Sequence, residues 1–176
     1  VQLDRRDSAV ARTPIAAALV AAAVLAAYAP IFFSEFVFDG RLVAGDNTAI
    51  TNLANLRLLF SADYYRTFGE NTYRPLVSLT YLIDAAIWGV RKPGFAATSL
   101  LIHFAAAWAL LVVVRRRAGG DAGLAAALVF AAHPAISEAV FCVGHRETLL
   151  GGFFVTTATN EMSELLPNEL SQINLK

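Results

Sequence analysis

Apolar positions along the chain fall into two long uninterrupted runs and two shorter ones. Pro14 to Phe33 holds 20 residues without a charge. At about 1.5 Å per residue a helix over this run measures roughly 30 Å, the thickness of a bilayer's hydrocarbon core. Its strongly apolar members, among them Leu19, Val20, Val24, Leu25, Ile31 and Phe32, favour insertion by about 2 to 5 kcal/mol. The small-x-small triplet Ala27-Tyr28-Ala29 resembles a leader cleavage site, but the apolar stretch is longer than the roughly 7–15 residues of a signal h-region. The pattern therefore predicts a retained span. A second uncharged run, Ala97 to Val114, ends against Arg115-Arg116-Arg117 and predicts a second one.

Elsewhere the apolar positions are less regular. Leu76, Leu79, Ile83, Ala86, Ile87 and Val90 fall three or four apart, which predicts a short helix with an apolar face suited to lying on a membrane, with Asp84 pointing elsewhere. Ala122 to Ala132 offers 11 residues before His133-Pro134 interrupts it. Extending that run to Val143 takes in Glu138, whose charge in mid-membrane costs about 3 kcal/mol, so Glu138 is expected at a surface or facing protein and water. A fourth apolar run opens at Thr148 and stops after Val155, and from Thr156 the text turns polar.

These elements add up to an all-α fold: polytopic membrane helices, two full spans and one or two partial ones, with a mixed outer loop that carries short helices. The expected order is a cytoplasmic segment 1–13, a span at 14–33, a loop at 34–96, a span at 97–114, and a cytoplasmic turn at 115–121. Membrane segments broken by a polar His-Pro/Glu/Arg stretch follow at 122–155, and a polar tail at 156–176. Arg5, Arg6 and Arg12 before the first span and the arginine triplet after the second are both expected inside by the positive-inside rule. The loop at 34–96 then faces outward, at the inner or plasma membrane.

Composition sharpens this picture. Apolar residues make up 57% of the 176 and charged ones 16%, with a mean hydropathy of +0.54, beyond the usual range of water-soluble domains. The 14 basic and 14 acidic side chains cancel, so no global field gathers nucleic acid, which is excluded as a partner. The single cysteine, Cys142, rules out an internal disulfide and a cysteine-rich zinc site. No HExxH, P-loop, GxGxxG or GxSxG pattern occurs, so zincin, nucleotide-binding and serine-hydrolase chemistry have no support.

The outer loop is where chemistry is expected. It carries six acidic and six basic residues. Asp39 follows the first span, where a carboxylate can accept a proton from an incoming hydroxyl or hold a divalent cation against a lipid-linked phosphate, or can simply be a solvated loop residue. Arg74, just before Pro75 at the start of the interfacial helix, can grip a phosphate bidentately or meet lipid headgroups. His103 in the second span is read as packed or as a ligand. The stretch from His133 to Glu147 packs five ionisable groups into 15 residues. There Glu138 and Arg146 could pair across two turns, with His133 near the same face, to make an anion pocket.

The ordered segments FVFD, NTAI, LRLLFSADYY, YRPLVSLTYLIDAAIWG, GFAATSLLIH, LVFAAHPAISEAV and VGHRETLL resemble the N-terminal portion of the transmembrane and tetratricopeptide-repeat-containing O-mannosyltransferases and their bacterial relatives. These are polytopic glycosyltransferases of the C superfamily, and the resemblance covers roughly residues 14–155. It implies inverting transfer of a sugar, typically mannose, from a polyprenyl-phosphate donor to a Ser or Thr hydroxyl of a protein acceptor. It also implies acidic residues in the first outer loop. Asp39 matches the first position of the family's Asp-Asp pair and Gly40 stands at the second. Tyr73-Arg74-Pro75, His133-Pro134, Glu138-Ala139-Val140, Gly144 and Arg146 match the family pattern, and the Gly94-Phe95 segment keeps its last histidine, His103. The family's further spans and 34-residue repeats are expected to be missing, as in a truncated or fragmentary copy. The resemblance thus assigns Asp39 as base or metal contact, Arg74 and Arg146 to the donor phosphate, and His133, Glu138 and His103 to shaping the site. A catalytically inactive membrane scaffold or interaction protein is the alternative from another class, and a small transporter using His103 and Glu138 is a third.

Overall fold

A computed structural model describes the backbone of residues 2–173 and the side chains of residues 13–162. Among the described residues there are helices of several kinds and no strands, so the all-α expectation holds. The helices are α1 (Gln2–Tyr28), α2 (Tyr64–Phe68), α3 (Pro75–Trp88), α4 (Lys92–Ala118), α5 (Gly120–Ala131), α6 (Ser137–Phe141) and α7 (Arg146–Ile173). Short 3-10 turns join them, and one π turn lies at Arg41–Gly45. The side chains of Arg5, Arg6 and Arg12, and those of the tail beyond residue 162, lie outside the described residues.

Among the described residues two helical stretches are long and apolar enough to cross a membrane, Thr13–Phe33 and Lys92–Ala118. With α4 the charges stand at the ends, Lys92 at its start and Arg115, Arg116 and Arg117 in its last turn. The third apolar run is a bent pair: Gly120–Ala131 and Pro134–Phe141 meet at 49°. Pro134 has no N–H to continue the helical ladder and disfavours helical backbone at His133, which puts the break there. Beyond it Glu138 is exposed, the surface option of the two expected. The composition break at Thr156 is not an element boundary, because α7 runs through it from Arg146 to Ile173.

The chain divides into two compact units. The first comprises residues 1–27, 104–133 and 151–176. Within it α5 lies hard against α4 at Gly123, where a Cβ would sit 2.8 Å from the Leu111 carbonyl oxygen and 2.9 Å from Arg115. Small residues permit such close backbone approach between apolar helices.

The second unit comprises residues 28–103 and 134–150. Its core gathers Val43, Ile50, Leu59, Tyr64, Phe68, Val77, Tyr81, Leu82, Phe95 and Val143. Proline at the first position starts α3 and Gly89, at φ +65°, ends it, an arrangement that suits both residue types. The helix turns Val77, Ser78, Tyr81, Leu82 and Asp84 inward and leaves Leu76, Ile83, Ile87 and Trp88 exposed. Asp84 thus points away from the stripe of Leu76, Ile83 and Ile87, as the spacing predicts. The carboxylate lies on the packed face, because a buried guanidinium meets it there.

Candidate functional site

Asp39 sits on a strap, residues 36–40, that leaves the first apolar helix and is clamped along the segment from Phe141 to Gly144. Phe36 packs edge-on to Phe95, with ring centres 5.5 Å apart, and under the Lys92 ammonium at 5.5 Å. That ammonium donates to the Phe141 carbonyl at 2.8 Å, so one cation ties both sides. The Cys142 thiol donates to the Val37 carbonyl at 3.7 Å. Phe38 has φ +47° and is 84% exposed. A bulky side chain in left-handed backbone is a true outlier and costs about 1–3 kcal/mol. The strain falls on the residue directly before the exposed carboxylate of Asp39.

Gly144 is the surface against which that carboxylate's residue rests. A Cβ at Gly144 would lie 2.8 Å from the Asp39 Cβ and 3.0 Å from the Gly40 nitrogen. Position 144 therefore accepts no side chain while the strap keeps this path. Two donors fix the same segment from below: the Tyr81 hydroxyl reaches the Val143 carbonyl at 2.7 Å, and Arg74 Nη1 reaches the Gly144 carbonyl at 3.3 Å.

Arg74 is held from several sides. Its Nε donates to Glu70 Oε2 at 3.0 Å, and Nη1 lies 3.0 Å from Glu147 Oε2. Glu70 is 1% exposed as a side chain, and its other oxygen accepts from Ser78 at 2.8 Å. Tyr64 completes the chain: its hydroxyl bonds Ser78 at 2.7 Å and accepts from the Arg74 backbone N–H at 3.2 Å. Burial works against the Arg74 charge, yet Glu147 and Glu70 together outweigh it, so the guanidinium titrates above its ordinary range. Burial also raises the Tyr64 and Tyr81 hydroxyls above their usual value of 10.

Arg146 has a different environment. It is fully buried and lies 2.7 Å from Asp84 Oδ2. Its Nη1 donates to Thr80 at 2.9 Å and its Nη2 to the Phe95 carbonyl at 2.9 Å, with the Tyr81 and Phe95 rings stacked around the cation at 5.0 and 5.6 Å. Thr98 donates to the other Asp84 oxygen. Burial pushes the Asp84 carboxyl up, and Arg146 and Thr98 only partly pull it back. The expected pairing of Arg146 with Glu138 does not form. Arg146 takes Asp84, which lies buried with it in the core, while Glu138 lies 3.6 Å from His145 at the surface.

Of the residues expected from sequence, Asp39 and Arg74 meet at Gly144. Arg146 stands in the core of the same unit, beneath that point, through Tyr81. His103 is buried with its ring edge-on to Tyr28 at 5.4 Å, and His133 belongs to the other compact unit. Among the described residues no three His, Cys, Asp or Glu side chains gather as a metal cage. Asp39 alone does not make the oxygen cage that a chelated cation needs. Sequence reasoning passed over Glu70, Asp84, Lys92 and the role of Glu147. Only Asp84 left a signal, since it continues the stripe Val77–Tyr81 at helical spacing.

Comparison with known proteins supplies the family context. Protein O-mannosyl-transferase TMTC1 of Homo sapiens is 32% identical over 143 residues, 77% of this chain. The chain is similar to the protein O-mannosyl-transferases. TMTC3 of Homo sapiens is 28% identical over 145 residues, 80% of the chain, and Tmtc1 of Drosophila melanogaster is 32% identical over 114 residues, 60% of the chain. The chain spans 16% of the length of each human relative and 13% of the fly protein. No family model matches it, and no solved structure does.

Proposed function

We propose that this chain forms the first membrane helices and the outer catalytic loop of a protein O-mannosyltransferase. In this reading the sugar is mannose-like, the donor is a polyprenyl-phosphate sugar and the acceptor is a Ser or Thr hydroxyl of a protein. Resemblance to the curated relatives supports the class of reaction. The observation that carries the site is the exposed Asp39, presented by a strained residue and backed by Gly144. It lies between the end of one apolar helix and the start of the next.

Asp39 accepts the proton of the acceptor hydroxyl. The freed oxygen attacks the anomeric carbon from the face opposite the phosphate, and the carbon–oxygen bond to phosphate breaks with its electron pair leaving on the polyprenyl phosphate. Configuration at the anomeric carbon inverts. Proximity and stabilisation of the departing phosphate supply most of the acceleration. Carboxylates already meet Arg74 and Arg146, so both act here by holding the platform under Asp39. Arg41, exposed and two residues beyond Asp39, is the cation assigned to the phosphate. The arginine triplet ending α4 supports an outward-facing 34–96 loop through the positive-inside rule.

The test is transfer of labelled mannose from polyprenyl-phosphate mannose to a serine-containing peptide by membranes carrying the gene's full-length product. Asp39→Asn is expected to lower kcat by about 10²–10⁴-fold. Equal rates in the two proteins would remove Asp39 from the reaction. A second reading, a membrane interaction protein without transfer activity, is favoured by one observation: Gly40 stands where the family pattern has its second acid.

A further inference from the structure

The proposed reaction leaves one half-exposed charge unexplained. Arg74 carries one positive charge, and the fully buried Glu70 already meets it through Nε and Nη2. Glu147 brings a second carboxylate to the same guanidinium, and its side chain is 39% exposed. Its Oε2 is the buried atom and lies 3.0 Å from Arg74 Nη1 as a charge contact, so the exposure belongs to the rest of the side chain. Arg74 also holds the Gly144 carbonyl, and Gly144 abuts Asp39. Asp39 therefore touches Gly144 directly, and Glu147 reaches the same glycine through the arginine bound to its carbonyl.

From this geometry we infer that Glu147 is the second acid of the outer site and binds the hydroxyls of the transferred sugar. The inference rests on the transferase reading above. A carboxylate has acceptor capacity only, and the hydroxyls of a neutral sugar are donors that suit it. The charge contact with Arg74 already restricts the side chain, so a contact with sugar forms with less loss of side-chain freedom. Glu147 stands in the first turn of α7 while the acid that accepts the proton stands on the strap. Glu147 makes no covalent step; it orients the donor sugar while Asp39 takes the acceptor proton.

Steady-state kinetics of the full-length product, with polyprenyl-phosphate mannose and a serine-containing peptide varied separately, test this. Glu147→Gln keeps an oxygen for Arg74 and removes the charge. It is expected to raise the donor KM about tenfold or more, with the peptide KM within twofold and the thermal midpoint unmoved. Glu147→Asp is expected to recover part of the donor KM, and Asp63→Asn, on an exposed turn, to leave all constants unchanged. An unaltered donor KM in Glu147→Gln, beside an active parent protein, overturns the inference alone. So does a loss of thermal stability and kcat at constant KM, the mark of a mere strut. A parent protein that transfers no sugar overturns the functional reading and this inference with it, and tight donor binding to that inactive parent separates an inactive binder from a protein with no donor site.

Discussion

At Gly144 three requirements meet in one residue: no side chain, a carbonyl for Arg74, and a fixed distance to the strap. Gly144→Ala is expected to destabilise the second unit by about 1–3 kcal/mol through overpacking against Asp39, read as a lowered midpoint in thermal unfolding. The Arg146–Asp84 pair makes a sharper prediction. Both groups are desolvated, so Asp84→Ala strands a buried cation and should cost about 3–5 kcal/mol, whereas replacing both partners by apolar residues of similar volume should be near neutral. A double variant as unstable as the single one would contradict this account. Arg41→Gln is expected to raise the donor KM in the transfer assay and to leave the unfolding midpoint unchanged. A wild-type KM would release Arg41 from that role.

Helix α3 shows how an element can be apolar outside and polar within. Its exposed residues Leu76, Ile83 and Ile87 belong to the face read from periodicity as suited to lying on a membrane. Its inner face carries Ser78, Tyr81 and Asp84 among the packed positions, each answered by a partner from another segment. Burial raises the Tyr64 and Tyr81 hydroxyls above 10, while the unfolded chain ionises near 10. Their contribution to stability is therefore full below that pH and is lost as pH rises past it. Unfolding midpoints followed from pH 8 to 12, alongside tyrosinate absorbance, should fall only above about pH 10. A fall that begins near neutrality would point to other groups. At the α4–α5 contact, Gly123→Leu should separate the helices, because backbone rather than a flexible side chain stands 2.8 Å from the added carbon.

At the scale of the whole molecule the decisive measurement is topology. A thiol introduced at exposed Thr51 in the Cys142→Ser background should react with an impermeant reagent from outside intact cells, and one at exposed Arg117 only after permeabilisation. The reverse pattern would move Asp39 to the wrong side of the membrane for a lumenal or periplasmic acceptor. Long apolar runs, terminal arginines, the helix at Pro75 and the break at His133-Pro134 were all readable in the sequence, because lipid and backbone sterics act on each stretch by itself. The exposed position of Asp39 needed little more. What partners Arg74 and Arg146 was not readable. Asp84 is 62 residues from Arg146 in the chain, counting 146 less 84, and Glu147 is 73 from Arg74, counting 147 less 74. Spacing marks the face that Asp84 joins but not its partner, since a buried charge is answered by whichever opposite charge packing brings within reach. The order of helices was thus written locally in hydrophobic length and punctuation. Which acids face water and which are consumed inside was decided only when distant segments closed around Gly144 and Arg146, because desolvation makes a charge's role depend on its neighbours in space.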